Sequence, residues 1–143
     1  MRMRIVFWLP RNPSSVAVAR QALDRIFSLF GVRTDCRDEL ALAVSEACTN
    51  AVRHATGEHD YELCAEAEDN TVVIEVRDSG PGLPADLDTD ALPATDTPHG
   101  RGLALMRDTT DAVELRRRRT GGLSVRMSKR LTWERGALGQ AST

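Results

Sequence analysis

The sequence predicts an α+β fold, a two-layer α/β sandwich whose helices cover one face of a mixed, mostly antiparallel sheet. Three observations lead to this fold class. The length of 143 residues is enough for one domain with its own hydrophobic core. The hydrophobic period switches between the helical and the extended value in the order β-α-α-β-β-loop-α-β-β. Strands that follow each other directly favour antiparallel pairing, which leaves the helices to cover one face.

The composition excludes several functional classes. The chain has 19 Lys and Arg against 21 Asp and Glu, and this near-balance argues against nonspecific binding to nucleic acid. The apolar stretch near the N-terminus, residues 5–9, is too short for a membrane span or a signal peptide. Cys36, Cys48 and Cys64 form no CxxC pattern, so they are expected to be small core residues in a reducing compartment. We therefore expect a cytoplasmic protein with no membrane and no direct nucleic acid partner.

The N-terminal third predicts one strand and two helices. Residues 5–9 form the strand, and residues 12–15 supply cap residues and a proline for the first helix, which Gly31 ends. Thr34 or Asp35 caps the second helix. Apolar positions recur at helical spacing in both helices: Val16, Ala19, Leu23, Ile26, Phe27 and Phe30 in the first, and Leu40, Val44, Ala47 and Ala51 in the second.

The remaining chain predicts a hairpin, a long loop, a short helix and two more strands. Residues 61–68 and 72–76 alternate between apolar and polar side chains, with a turn between them. Residues 79–99 show no sustained period and indicate a functional or disordered loop. The last helix and strands are predicted at residues 100–108, 112–115 and 123–131. We assign residues 1–135 to one domain and residues 136–143, rich in Gly, Ala and Ser, to a flexible tail.

A carboxylate and an amide stand one turn apart on the second helix. Glu46 and Asn50 are four residues apart, so both project from the same side. An amide oxygen can bind a hard cation and a carboxylate can accept a proton, so the pair can share one ligand. Taken alone, the same spacing also describes a solvated polar pair on a helix surface.

A second motif, Asp78-Ser79-Gly80-Pro81-Gly82, ends the hairpin. By strand parity Asp78 continues the apolar series of the strand and points towards the core. A buried carboxylate needs a partner, and an amino group of a ligand would serve. Gly80 and Gly82 allow the backbone to approach a flat ligand closely. A simple turn at the strand end would explain the glycines but not the direction of the carboxylate.

A third motif places glycines at the start of the last helix. Gly100, Arg101, Gly102 and Leu103 combine free backbone N–H groups with a helix N-terminus, which favours phosphate. A dinucleotide-binding GxGxxG motif is excluded because position 105 is Leu and no βαβ unit surrounds it. A Walker motif is excluded because no GKS or GKT sequence is present.

Together and in this order, the three motifs resemble those of the ATPase superfamily of gyrase, heat-shock chaperones, histidine kinases and mismatch-repair proteins, whose nucleotide domain is called the Bergerat fold. That family has a Glu…Asn box on a helix, a DxGxG box at a strand end and a second glycine box after a lid. The corresponding segments here are Glu46-Ala-Cys-Thr-Asn50-Ala-Val-Arg-His54, Asp78-Ser-Gly80-Pro-Gly82 and Gly100-Arg-Gly102-Leu-Ala-Leu. The resemblance runs from about Ile5 to Leu131 and implies ATP and Mg²⁺ as cofactors.

Within that superfamily the chain resembles the anti-sigma factor serine kinases. The resemblance is carried by the short lid, by the segment SEACTNAVRHA around the helix box, and by the segment LPRNPSSVAVAR. These small bacterial regulators of transcription sequester a sigma factor and phosphorylate a serine of an anti-anti-sigma protein of the STAS type. The resemblance therefore implies both proteins as partners. It also implies a homodimer, with the first strand and helix as its face.

The resemblance implies a role for each residue that would contact the base. Asp78 would accept a hydrogen bond from the exocyclic amino group of adenine. Gly80 and Gly82 would let the backbone pass under the ring. The family often has a Thr-Thr pair where this chain has Leu123-Ser124. Ser124 is carried over as an adenine-side contact, although its parity equally predicts a serine that faces solvent.

The resemblance also implies which residues would hold the phosphates. Asn50 would coordinate Mg²⁺, and the backbone N–H groups of Arg101 to Leu103, after Gly100, would bind phosphate oxygens. Glu46 would be the catalytic general base that orients a serine hydroxyl or a water towards the γ-phosphate.

Two other functions stay open from the sequence alone. The chain could be a non-catalytic, ATP-gated binding module that sequesters a regulator. It could also be a detached catalytic domain of the histidine-kinase type, although no dimerisation helix with a phospho-accepting His precedes the motifs. Arg53 and His54 could reach phosphate or could simply end the helix. The run Arg116 to Arg119 favours a solvated face over a DNA site, and a docking surface for an acidic partner is open.

Overall fold

The computed structural model describes residues 1–54, 60–78, 98–117 and 122–140. Its elements are β1 (Arg2–Leu9), α1 (Pro13–Phe30), α2 (Thr34–His54), β2 (Tyr61–Glu68), β3 (Thr71–Arg77), α3 (Pro98–Thr109), β4 (Ala112–Arg117) and β5 (Leu123–Arg130). The strands form one sheet in the order β1-β2-β3-β5-β4. The predicted α+β class and element order are confirmed. Every pair of neighbouring strands is antiparallel, so the described sheet is not mixed.

The helices form a single layer on one face of the sheet. α2 lies in the middle and packs against α1 on one side and α3 on the other. Alternate residues of β2 and β3 are buried in the core under this layer, as their sequence pattern predicts. The opposite face of the sheet carries ion pairs between side chains such as Arg4 with Glu66 and Arg77 with Glu75. One face of an antiparallel sheet can remain hydrated in this way.

The ends of α1 are set by the residues that the sequence singled out. The side chain of Asn12 accepts a hydrogen bond from the Ser14 backbone N–H at 2.9 Å, which caps the N-terminus. Gly31 has a left-handed φ of 90°, and its N–H donates to the carbonyl oxygen of Ser28. The second helix begins at Thr34, and Arg37 joins it to α1 by a 3.0 Å ion pair with Asp24. These contacts fix α2 relative to α1.

Residues 136–140, which belong to the predicted tail, contact the end of α1. The backbone N–H of Gly139 donates to the carbonyl oxygen of Phe30 at 2.8 Å, and Gly139 is buried. A Cβ on Gly139 would lie 2.5 Å from the ring of Trp133, so any larger residue would have to displace this ring. These residues therefore cover the C-terminal end of α1. The last three residues of the predicted tail lie outside the described residues.

Candidate functional site

Glu46, Asn50 and Gly102 meet where α2 packs against the first turns of α3. A Cβ built on Gly102 would lie 3.0 Å from Oε2 of Glu46 and 3.5 Å from Nδ2 of Asn50. The two polar side chains are only partly buried, whereas Gly102 is buried. The helix spacing of Glu46 and Asn50 thus directs both side chains towards the glycine motif. A side chain at position 102 would therefore have to shift the Glu46 carboxylate and would contact the Asn50 amide.

Asp78 lies at the end of β3 and faces the helical layer, as strand parity predicts. Only 7% of the surface of Asp78 is exposed. Its backbone N–H donates to the carbonyl oxygen of Leu123 at 3.0 Å, and its Oδ1 accepts a 3.1 Å hydrogen bond from the Leu123 N–H. These reciprocal bonds with β5 fix the carboxylate.

Gly122 is a site residue that the sequence interpretation did not single out. It has a left-handed φ of 92°, and a Cβ there would lie 2.1 Å from the backbone oxygen of Asp78 and 3.0 Å from its Oδ1. The start of β5 can therefore reach Asp78 only if position 122 is glycine. The signal in the sequence is the pair Gly121-Gly122 between the last two predicted strands.

The third motif lies inside α3 rather than at its start. The helix begins at Pro98, two residues before the predicted start at Gly100, and proline is well suited to the first position of a helix. The N–H groups without an intrahelical partner belong to the first turn. In this conformation Arg101 to Leu103 lie in the first turns of α3, and phosphate binding by their N–H groups stays a prediction. The side chain of Leu103 is buried in the core, and Arg101 is exposed.

Ser124 lies on the face of the sheet away from the helices. Its hydroxyl donates a 2.7 Å hydrogen bond to Oε1 of Glu75, which also accepts one from Nε of Arg77 at 2.7 Å. Partial burial favours a higher pKa for Glu75, but the hydrogen bonds from Arg77 and Ser124 outweigh it and lower the pKa below its usual value. The carry-over of Ser124 as an adenine-side contact is not supported by this position. Its register partner on β3 is Arg77, whereas Asp78 belongs to the opposite face.

The other residues named from sequence are only partly covered by the structure. Gly80 and Gly82 lie outside the described residues, as do the last two arginines of the run that begins at Arg116. Arg53 is exposed on α2 one turn after Asn50. Within the described chain, no three His, Cys, Asp or Glu side chains gather in a group that could hold a metal ion. None of the described helices is long and apolar enough to cross a membrane.

Comparison with known proteins finds one matching family and several similar serine-protein kinases. The family described as "Histidine kinase-like ATPase domain" matches residues 9–129. The serine-protein kinase RsbW of Bacillus velezensis is 34% identical over 139 residues, which cover 89% of this chain and 85% of the relative. RsbW of Listeria innocua is 39% identical over 90 residues, or 62% of this chain. That match spans only 57% of the length of the Listeria protein.

Two solved structures resemble the fold. The structure of the RsbU and RsbW domains of Rv1364c from Mycobacterium tuberculosis has a TM-score of 0.68 at 18% identity, over 99% of this chain and 35% of that chain. The SiaB-SiaC complex from Pseudomonas aeruginosa has a TM-score of 0.59 at 16% identity, over 90% of this chain and 89% of that chain. At these identities the likeness concerns the fold alone.

Proposed function

Because the chain belongs to the histidine kinase-like ATPase domain family, we propose that it is a Mg²⁺- and ATP-dependent protein serine kinase that acts as an anti-sigma factor. Its substrate would be a serine of an anti-anti-sigma protein of the STAS type. The observation that carries this proposal is the meeting of Glu46 and Asn50 with Gly102, together with a buried Asp78 at the end of β3. The RsbW relatives, named serine-protein kinases, support the choice of serine as acceptor.

The base would be recognised at Asp78. Its carboxylate is buried and held by the Leu123 N–H, so it presents fixed acceptor positions. The exocyclic amino group of adenine is a donor and suits this carboxylate, whereas guanine has a carbonyl oxygen at the same place. A site built around a buried acceptor discriminates strongly against a ligand that lacks the donor. The carboxylate of Asp78 therefore fits the amino group of adenine as an acceptor.

The phosphates and Mg²⁺ would lie between α2 and α3. Hard cations prefer oxygen ligands, and the amide oxygen of Asn50 is one. A Mg²⁺ ion usually keeps few protein ligands and takes phosphate oxygens for the rest. The space that a Cβ on Gly102 would fill lies directly beside this amide and beside Glu46. The residues present therefore fit a metal that is held jointly by Asn50 and phosphate.

Glu46 would act as the general base. Bound Mg·ATP supplies the phosphoryl group that is transferred. The carboxylate of Glu46 would accept the proton of the substrate serine hydroxyl while the serine oxygen forms its bond to phosphorus and the bond to ADP breaks. Asn50 lies one turn later on the same helix face, so the metal that it would bind and the carboxylate of Glu46 would keep a fixed position relative to each other.

We also propose that the protein acts in the cytoplasm, since ATP is supplied there. We propose further that it sequesters a sigma factor and that it forms a homodimer. β1 is an edge strand of the described sheet, and its Trp8 is 67% exposed, which supports β1 as part of a contact face. Sedimentation of the wild-type chain and of Trp8→Glu tests the dimer. A monomeric wild-type chain would contradict it.

The kinase function is tested with the purified full chain, ATP and a STAS-type protein encoded by the same genome. We expect phosphoserine on that protein, and we expect Glu46→Gln to abolish its formation while ATP binding persists. ATP binding without phosphoserine on any such protein would contradict the kinase and leave an ATP-gated binding module. Phosphohistidine in place of phosphoserine would instead indicate a histidine-kinase type of reaction.

A further inference from the structure

A carboxylate on the open face of the sheet, that of Glu75, bridges the ends of β3 and β5 behind the proposed base subsite. Its Oε1 accepts two 2.7 Å hydrogen bonds, one from the Ser124 hydroxyl of β5 and one from Nε of Arg77 on its own strand. Ser124 is buried and Glu75 is half-buried, so water competes little for these bonds. Hydrogen bonds to an ionised acceptor are also stronger than neutral ones. The proposed chemistry gives these three side chains no role.

The bond between Glu75 and Ser124 runs diagonally between the two strands. The register partner of Glu75 is Arg126, and that of Ser124 is Arg77. Glu75 therefore leans past its own partner towards the end of the ladder, where it contacts the last pair that belongs to both strands. A diagonal contact changes length as soon as one strand slides along the other, so this bond fixes the register between β3 and β5.

The same strand ends hold Asp78 on the opposite face of the sheet. Asp78 follows Arg77 and Leu123 precedes Ser124, so the side chains of Asp78 and Leu123 point to the helices. Two hydrogen bonds join them, from the Asp78 N–H to the Leu123 carbonyl oxygen at 3.0 Å and from the Leu123 N–H to Oδ1 of Asp78 at 3.1 Å. The two residues that Glu75 holds are thus the chain neighbours of the two residues that orient the Asp78 carboxylate.

Arg77 is held from a third strand as well. Its Nη1 lies 3.7 Å from Oε1 of Glu62 on β2. With Arg77 and Ser124 both fixed, the start of β5 has little freedom to shift against the end of β3. A shift of Ser124 would move the Leu123 N–H with it and so turn or release the Asp78 carboxylate. Binding groups must be held within about 0.5 Å of their working positions, so even a small shift matters.

We infer that Glu75 is a positioning residue which, by holding Ser124 and Arg77, fixes the start of β5 against the end of β3 and so sets Asp78 for the base. The inference rests on the proposed nucleotide site and deepens it, because it assigns a role in base recognition to the far face of the sheet. Glu75 itself touches neither nucleotide nor metal in this scheme.

The test measures how well the protein distinguishes ATP from purine riboside triphosphate, the same nucleotide without the amino group that Asp78 would bind. With Mg²⁺ present, the ratio of the two Kd values reports the hydrogen bond to that amino group, because the contacts to ribose and phosphate cancel. We expect the preference for ATP to fall about fivefold in Ser124→Ala, which removes one oxygen atom. Glu75→Ala should lower it at least as much. A loss of stability alone would leave the ratio unchanged.

Three further variants make the result specific to this contact. Glu75→Gln keeps an oxygen that can accept from Ser124, so it should retain most of the preference. Glu75→Ala combined with Ser124→Ala should lose little more than Glu75→Ala, because both remove one contact. Glu114→Ala is the matched control, since Glu114 also has Arg126 as its register partner and also accepts from an arginine two positions later, Arg116. The described contacts of Glu114 stay within β4, so its variant should keep the preference within about twofold.

The outcomes separate the inference from the proposed function. A full preference for ATP in folded Ser124→Ala and Glu75→Ala overturns the inference and leaves the nucleotide site in place. An equal loss in Glu114→Ala overturns it too, because any change on the open face would then act at Asp78. If Glu75→Ala does not fold, Ser124→Ala decides alone, since it leaves the ion pair of Arg77 with Glu75 intact. A wild-type chain that binds neither nucleotide overturns the proposed function itself.

Discussion

A Cβ on Gly102 would lie 3.0 Å from Oε2 of Glu46, so the glycine motif of α3 lies directly against the carboxylate of α2. This distance is tighter than nine in ten real Cβ contacts, so the Glu46 carboxylate would have to shift by a few tenths of an ångström to admit a methyl group. The contact joins two residues that are far apart in sequence and unremarkable when taken singly. It is the structural basis for treating both as one site.

Gly102→Ala should separate stability from nucleotide binding. Alanine is favoured over glycine inside a helix by about 1 kcal/mol, so the melting temperature should stay equal or rise. The added methyl displaces Glu46 and fills the space beside Asn50, so the affinity for Mg·ATP should fall at least about tenfold. Calorimetric titration and thermal melting of the same sample measure both effects. Unchanged affinity in a stable variant would place the phosphates elsewhere.

Glu46→Gln should remove phosphoryl transfer and spare binding. The amide has the shape of the carboxylate but cannot accept the proton of a serine hydroxyl, and loss of a general base typically costs about 10²–10⁴-fold in rate. The affinity for Mg·ATP should remain within a few-fold of the wild type. Single-turnover transfer to the partner protein measures the rate. Glu39→Gln is a control on the same helix, where Glu39 pairs with Lys129 away from the site; equal rate losses in both variants would contradict the role of Glu46.

Asp78→Asn should weaken ATP and reduce the preference for adenine. Its oxygen can still accept the Leu123 N–H, so the fold around β3 and β5 should persist. The second carboxylate oxygen is replaced by an NH₂ group, a donor that would face the donor amino group of adenine. We expect an ATP affinity lower by about 10- to 100-fold and a smaller difference between ATP and GTP. Titration with both nucleotides measures this, and an unchanged ATP preference would exclude Asp78 as the base contact.

Glu75 should make a small pH-dependent contribution to stability. Its folded-state pKa is lowered because hydrogen bonds from Arg77 and Ser124 outweigh partial burial. A lowered pKa stabilises the fold at a pH above the unfolded value, about 4.3, and this contribution is lost as the pH falls through the folded value. Glu75→Gln should therefore be less stable than the wild type at neutral pH, with the gap closing in acid. Urea unfolding at several pH values measures it, and a gap that widens in acid would contradict the assignment.

Much of the fold and part of the site could be predicted because the signals were local. The caps of α1 at Asn12 and Gly31 depend on neighbouring residues, and the inward direction of Asp78 follows from the parity of β3. The hydrogen bond of Ser124 with Glu75 depends on the register between β3 and β5, which no local pattern encodes. The anchoring of Gly139 on Phe30 equally joins distant parts of the chain.

The same distinction applies to the residue types at the site. The Glu46 and Asn50 spacing, and the glycines of α3, could be recognised from sequence, but their mutual distance could not. Gly122 was missed because glycine between two strands is ordinary in a turn, and its close approach to Asp78 appears only in three dimensions. The sequence therefore identified the residues that carry the chemistry, but it did not identify the backbone position that holds one of them in place.

Gly122→Ala should damage the fold where the base would bind. A Cβ there would meet the backbone oxygen of Asp78 at 2.1 Å, and a φ of 92° is strained for any residue except glycine. Backbone cannot move aside cheaply, so we expect a loss of at least about 3 kcal/mol in the free energy of unfolding.

Gly136→Ala is the matched control for this prediction, since its φ is also positive at 73° but nothing lies within 4 Å of its Cβ. It should lose only about 1 kcal/mol, the cost of a left-handed backbone for alanine. Urea unfolding of the two variants therefore separates the steric contact from the backbone strain. Because the Leu123 N–H must move with Gly122, the affinity of a folded Gly122→Ala for adenosine should fall as well. Equal stability losses in the two variants would show that Gly122 serves the turn alone and not the position of Asp78.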